Sequence, residues 1–146
     1  KKTNGKGSII MKKLAIVLAA LLLASVFVGC GDLSTKALEG TKWQVVAVNE
    51  ETDIAKTPYG FAYVAFEFKA DTECSYIRGQ SKDVISSTLD YSWDIDESGT
   101  SLTIYNTKGS MDGKYDVEYG VKEMTWTQTA PDSWKGQVIK LAKVEE

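Results

Sequence analysis

The chain changes its hydrophobic rhythm once. From Leu14 to Val28 every residue is apolar or small except Ser25. From Gly40 onward apolar residues recur at every second position, the period of a strand with one buried face. Trp43, Val45 and Ala47 alternate with Lys42 and Gln44, and Val64, Phe66 and Phe68 alternate with Ala65 and Glu67. Lys69 to Thr72 reads as a hairpin turn, and Glu73 to Arg78 as the strand that follows, with Cys74 and Tyr76 on one face. The cleanest alternation is Leu89, Tyr91, Trp93 and Ile95 against Asp90, Ser92 and Asp94. Leu102 and Ile104, then Tyr115, Val117 and Tyr119, then Met124 and Trp126, mark three further strands. Ile139 and Leu141 give the inner face of a last one, within Gly136 to Val144. Polar stretches separate these runs, and Glu50–Gly60, Gly79–Ser87 and Lys108–Gly113 are expected to be loops.

The pattern predicts an all-β domain of about eight strands with no long helix between them. Short connections make sequential strands antiparallel neighbours. Such a meander must protect its edges, and closing into an up-and-down barrel does so. A β-sandwich and an open, curled sheet meet the same pattern less completely. The outward positions carry Lys, Glu, Asp, Ser and Thr, which does not suit a barrel facing lipid.

The apolar run from Leu14 to Val28 would span about 22 Å as a helix, short of a hydrocarbon core of about 30 Å. With Met11, Lys12 and Lys13 ahead of it, the run reads as an export signal, with Met11 the expected start and residues 1–10 an upstream extension. Phe27-Val28-Gly29-Cys30 resembles a bacterial lipobox. The resemblance implies cleavage after Gly29, diacylglyceryl attachment to the Cys30 sulfur and anchoring in the cell envelope. Gly31 in place of Asp after the cysteine leans toward the outer membrane. The expected organisation is a leader at 1–29, a lipidated tether at 30–37 and a barrel domain at 38–146. Within the tether, Ser34 is placed to cap one helical turn.

A second resemblance covers the domain from Leu38 to Val144. Leu38-Glu39-Gly40-Thr41-Lys42-Trp43-Gln44-Val45, the run Tyr63 to Phe68, and Tyr91-Ser92-Trp93-Asp94-Ile95 leading to Leu102-Thr103-Ile104 are similar to the short lipocalin-like domains of bacterial lipoproteins. That similarity implies a barrel able to hold a small apolar or amphipathic molecule.

Charge narrows the partners. The formal net charge is −3, but Lys1, Lys2, Lys6, Lys12 and Lys13 all precede Cys30 and no acid does. The part from Cys30 onward carries 12 basic and 20 acidic residues. Nucleic acid is excluded as a main partner, because phosphate binding needs clustered Lys and Arg. The chain contains no histidine, which removes Ser-His-Asp triads and most catalytic zinc sites. No nucleophile elbow, Ser-x-x-Lys spacing or phosphate-binding glycine loop takes their place. No enzymatic activity, cofactor or metal is expected. With Cys30 occupied by lipid, Cys74 is left as a lone thiol, the usual state of a small buried hydrophobe.

Two constellations remain. Asp94-x-Asp96-x-Ser98-Gly99 opens like a calcium loop, but position twelve is Tyr105 rather than a bidentate Glu, so a hairpin turn is expected. Trp43, Phe66, Phe68, Tyr76, Tyr91, Trp93, Tyr115 and Trp126 share the inward face. They read either as pure core or as the lining of a ligand cavity. Arg78, the only arginine, either sits solvated at an edge or faces inward beside Tyr76, where it would meet a carboxylate. Two functions follow: binding of a small apolar or amphipathic molecule, or contact with an envelope protein through the loops at 49–60, 79–88 and 106–113.

Overall fold

The computed structural model describes residues 32–146. The leader and Cys30, with their expected lipid attachment, lie outside the described residues. The domain is a closed barrel in which each strand pairs with its sequence neighbour and β8 returns to β1. The strands are β1 (Thr41–Val48), β2 (Tyr63–Phe68), β3 (Glu73–Ser81), β4 (Val84–Ile95), β5 (Ser101–Tyr105), β6 (Met111–Tyr119), β7 (Glu123–Ala130) and β8 (Val138–Lys143). All pairs are antiparallel. The up-and-down barrel expected from the alternation is therefore the observed fold, and the sandwich and open-sheet alternatives fall away.

A single helical turn, α1 (Thr35–Leu38), precedes β1. Ser34 caps it: its Oγ accepts the Ala37 N–H at 3.1 Å. α1 stands at one end of the barrel, where the Gly40 N–H donates to the Phe68 carbonyl at 2.8 Å. Leu33 and fully buried Leu38 belong to the barrel core and close this end.

Above them the inside is filled by large side chains. Trp43, Trp93, Trp126, Phe68, Leu102, Ile104, Ile139 and Leu141 are each at most 1% exposed. Phe68 meets Trp93 edge-on at 5.2 Å, and Trp126 touches both Phe68 at 6.3 Å and Phe66 at 5.1 Å. Each buried indole N–H finds an acceptor: Thr41 Oγ1 for Trp43, the Glu73 carbonyl for Trp93 and Met124 Sδ for Trp126. Rings this large are tolerated inside because their polar edges are satisfied. Cys74 is buried among them as a free thiol, and burial pushes its pKa up to about 12. On the opposite face of β2 and β3, Tyr63, Ala65 and Ile77 form a separate small cluster.

Two expected loops prove to be partly strand. Gly79–Ser87 contains the end of β3 and the start of β4, joined only by Lys82 and Asp83. Ser81 Oγ accepts the N–H groups of Asp83 and Val84 and tightens that turn. Val84 and Ile85 are 53% and 42% exposed, so neither face is buried and no alternation betrays the hairpin. Gly79 is required there: a Cβ would lie 2.3 Å from the Val84 carbonyl oxygen. Likewise Lys108–Gly113 is loop only to Ser110, and β6 begins at Met111.

The Asp96 turn behaves as the spacing suggested. One carboxylate oxygen accepts the N–H groups of Thr100 and Ser101, and the other accepts the Ser98 hydroxyl. Those hydrogen bonds hold the Asp96 pKa below its ordinary value.

Candidate functional site

The end of the barrel away from α1 is open. It is formed by the ends of β1, β3, β5 and β7 and the starts of β2, β4, β6 and β8. The rings of the filled interior stop at Phe66 and Trp126, and above them lies a cleft of about 300 Å³.

The floor and one wall are a stack of aromatic rings. Phe66 on β2 lies 5.1 Å from Tyr76 on β3, their planes 20° apart, and Tyr76 lies 5.3 Å from Tyr91 on β4. This run follows from register: Phe66 pairs with Tyr76, and Cys74 pairs with Tyr91. The opposite wall is Tyr115 on β6, packed 5.0 Å from Trp126. Tyr115 needs Gly113 to lie where it does. A Cβ at that glycine would sit 2.3 Å from the Tyr115 hydroxyl oxygen.

Loops complete the cleft. The β1–β2 connection is pinned by buried Ile54, whose carbonyl accepts the Thr57 hydroxyl at 2.7 Å. It then carries Pro58 and Tyr59 over the mouth, with Tyr59 6.5 Å from Phe66 and 6.3 Å from Tyr76. Trp134, 46% exposed, comes from the β7–β8 connection, and Gln128 and Gln137 add amide groups.

Two charged side chains enter this aromatic surround. Arg78 takes the inward register beyond Tyr76 and is half-buried. Its guanidinium carbon lies 4.8 Å from the Phe61 ring centroid and 5.4 Å from that of Tyr76, and its Nε–H donates to Ser87 Oγ at 3.0 Å. Such cation–π contacts hold the guanidinium close to the two rings. Among the described residues the one ion pair joins Lys56 to Asp53, so Arg78 has no carboxylate partner there. Asp112, on β6, is an exposed rim residue lining the same cleft. The β5–β6 register slips beside it: Gly113 pairs with Ile104 while Met111 pairs with Tyr105. Bulges of this kind re-aim side chains.

Burial keeps the phenols protonated. It raises the Tyr76 pKa to about 12, with Arg78 pulling the other way. Burial also raises Tyr59, Tyr91 and Tyr115, and Asp112 reinforces all three. Desolvation raises Asp112 itself. The cleft thus presents neutral hydroxyls, one cation and one carboxyl group above an apolar floor.

The eight inward aromatics divide at this floor. Phe66, Tyr76, Tyr91 and Tyr115 line the cleft. Trp43, Phe68, Trp93 and Trp126 are in the packed interior below it. Arg78 takes the inward of its two expected positions. Tyr59, Asp112, Gln128, Trp134 and Gln137 were not anticipated. Pro58-Tyr59-Gly60 is the only one of these with a sequence signal, an aromatic residue held in a turn.

Fold and cleft together define a small antiparallel up-and-down barrel, of the kind that fits a lipocalin-like fold, with a solid interior and an aromatic mouth. No protein-family model matches the chain, and no curated protein matches it. A solved structure with a similar fold is the NMR structure of a protein from Bacteroides uniformis ATCC 8492, with a TM-score of 0.53 and 18% sequence identity. The similarity covers 78% of this chain and 94% of that one. At that identity it speaks to the fold alone.

Proposed function

We propose that this protein is an envelope lipoprotein whose barrel binds a small amphipathic molecule in its mouth. The observation that carries the binding reading is the cleft itself. Apolar rings converge there with Arg78 and several tyrosine hydroxyls, the mixture expected of a ligand site. Its volume lies at the lower end of the range for small-molecule pockets, roughly 300–1,000 Å³. Titration followed by tryptophan emission tests it, because Trp134 lines the cleft and Trp126 lies under Tyr115. A saturable change with compact amphipathic compounds is expected, lost in Tyr76→Ala and Tyr115→Ala. Flat emission across anionic, cationic and zwitterionic compounds would remove the reading.

The lipoprotein half of the proposal rests on Phe27-Val28-Gly29-Cys30 and the preceding apolar run. One acyl chain gives marginal anchoring and two or more give durable anchoring. Cys30→Ser is therefore expected to leave an uncleaved, unlipidated precursor. Fractionation with a lipid label checks this. Mature, lipid-labelled protein from the Cys30→Ser gene would refute the anchor.

A second reading draws on the β3–β4 hairpin, where Val84 and Ile85 are exposed at the tip. That edge suits a protein partner in the envelope. Chemical-shift changes confined to the hairpin on adding such a partner, with the cleft untouched, would favour it over small-molecule binding.

A further inference from the structure

The cleft holds opposite charges on different walls. Arg78 stands on β3 and Asp112 on β6, three strands on around the closed ring of eight. Phe66, Tyr76 and Tyr115 line the same cleft. Each charge restricts what can enter. An anion seated on Arg78 shares the cleft with an uncompensated carboxyl group. A cation seated at Asp112 shares it with an uncompensated guanidinium. Unpaired charge is costly where water is displaced, and like charges facing each other discriminate against a ligand. A molecule carrying both charges, one at each end, meets neither penalty.

The floor restricts length. Below Phe66 the barrel is filled by Trp126 and Phe68, both fully buried, so a long acyl chain has no channel to descend. The walls restrict chemistry, because Tyr76 and Tyr91 on one side and Tyr115 on the other line the cleft with aromatic side chains, which favour an apolar ring as the body of the ligand.

We propose that the mouth selects a compact zwitterion, with a carboxylate at one end paired to Arg78, an ammonium at the other paired to Asp112, and a flat apolar body across the aromatic floor. This rests on the small-molecule reading given above and names its ligand class. Arg78 is built for the first contact. Its Nε–H is spent on Ser87, its guanidinium lies over Phe61 and Tyr76, and its remaining donors have no carboxylate partner among the described residues. The hydroxyls of Tyr59, Tyr91 and Tyr115 are neutral and able to bridge to either end.

A matched set of probes tests the idea: para-(aminomethyl)benzoate, which carries both charges; para-toluate, which keeps only the carboxylate; para-methylbenzylamine, which keeps only the ammonium; and dodecanoate. Each charge-assisted contact adds its own stabilisation, so the zwitterion is expected to bind at least about tenfold more tightly than either singly charged ring. In Arg78→Gln the advantage over the amine should vanish while the advantage over toluate persists. In Asp112→Asn the pattern should invert. Thermal unfolding of both variants at the wild-type temperature shows that the barrel is intact. Toluate binding as tightly as the zwitterion, or dodecanoate binding more tightly, overturns the proposal and leaves the mouth as a small-molecule site. Silence from all four probes overturns both.

Discussion

Trp126→Ala is expected to be the most damaging single truncation in the barrel. The indole is fully buried and touches Phe66, Phe68 and Tyr115, so it ties the cleft floor to the packed interior. Its N–H is satisfied by Met124 Sδ at 3.2 Å, so the wild-type site carries no polar penalty. Removing the ring leaves a cavity beneath the cleft floor, and the hydrogen-bonded strands of a closed barrel resist collapsing to fill it. Truncations of this kind cost about 3–5 kcal/mol, a large share of the ~5–15 kcal/mol that holds a domain together. The melting temperature, followed by circular dichroism, should fall by on the order of 10–20 °C. Trp134→Ala is the control. That ring is 46% exposed, and its loss should change stability by no more than about 0.5 kcal/mol. Equal effects from the two substitutions would contradict the division between filled interior and open mouth.

The second large effect is expected at the closed end. Leu38 is the last residue of α1 and fully buried, with Leu33 beside it in the same core. Leu38→Asp places a carboxyl where no partner awaits it. Burying an unpaired charge is one of the few mechanisms that cost more than about 4 kcal/mol. The sign of the pH dependence identifies the cause. Burial would raise the new carboxyl's folded-state pKa above its unfolded value of about 3.9. The folded state then binds more protons between those two values, so stability falls as pH rises through that window. The penalty is full above the folded pKa and eases as pH drops below it. Leu38→Met keeps the volume and should cost less than about 1.5 kcal/mol. Denaturant unfolding at two pH values separates the effects. A Leu38→Asp loss that is small and independent of pH would mean that α1 does not seal the barrel.

Much of the architecture was legible because one face of each strand is buried. Leu89, Tyr91, Trp93 and Ile95 point inward against Asp90, Ser92 and Asp94, and period-2 alternation is the direct trace of that burial. Where a strand leaves the barrel the trace disappears. Residues 79–87 read as a loop because both faces of the β3–β4 hairpin meet solvent near Val84 and Ile85. The inward aromatics were legible as a set, but not their division into floor and core. Tyr76 and Trp93 alternate equally well, and only their height in the barrel separates cleft from interior. Height depends on register and on the bulges at Val45/Ala47 and Ile104/Tyr105, which leave no mark in composition. Tyr59 and Trp134 come from connections, where no period exists to place them. Asp112 was hidden in a stretch read as loop. Arg78 could be placed on either side of its strand's end, and the pairing of Val64 with Arg78 is what turns it inward.

The central claim is that this barrel binds at its mouth and is solid beneath. The most direct test is backbone amide chemical-shift mapping of the protein titrated with para-(aminomethyl)benzoate. The account predicts saturable shifts at Tyr59, Tyr76, Arg78, Tyr91, Asp112 and Tyr115, with Phe68, Trp93 and Leu102 unmoved. Shifts that run down the barrel to those three residues would contradict it, as would a mouth left unchanged by this compound and by para-toluate, para-methylbenzylamine and dodecanoate alike.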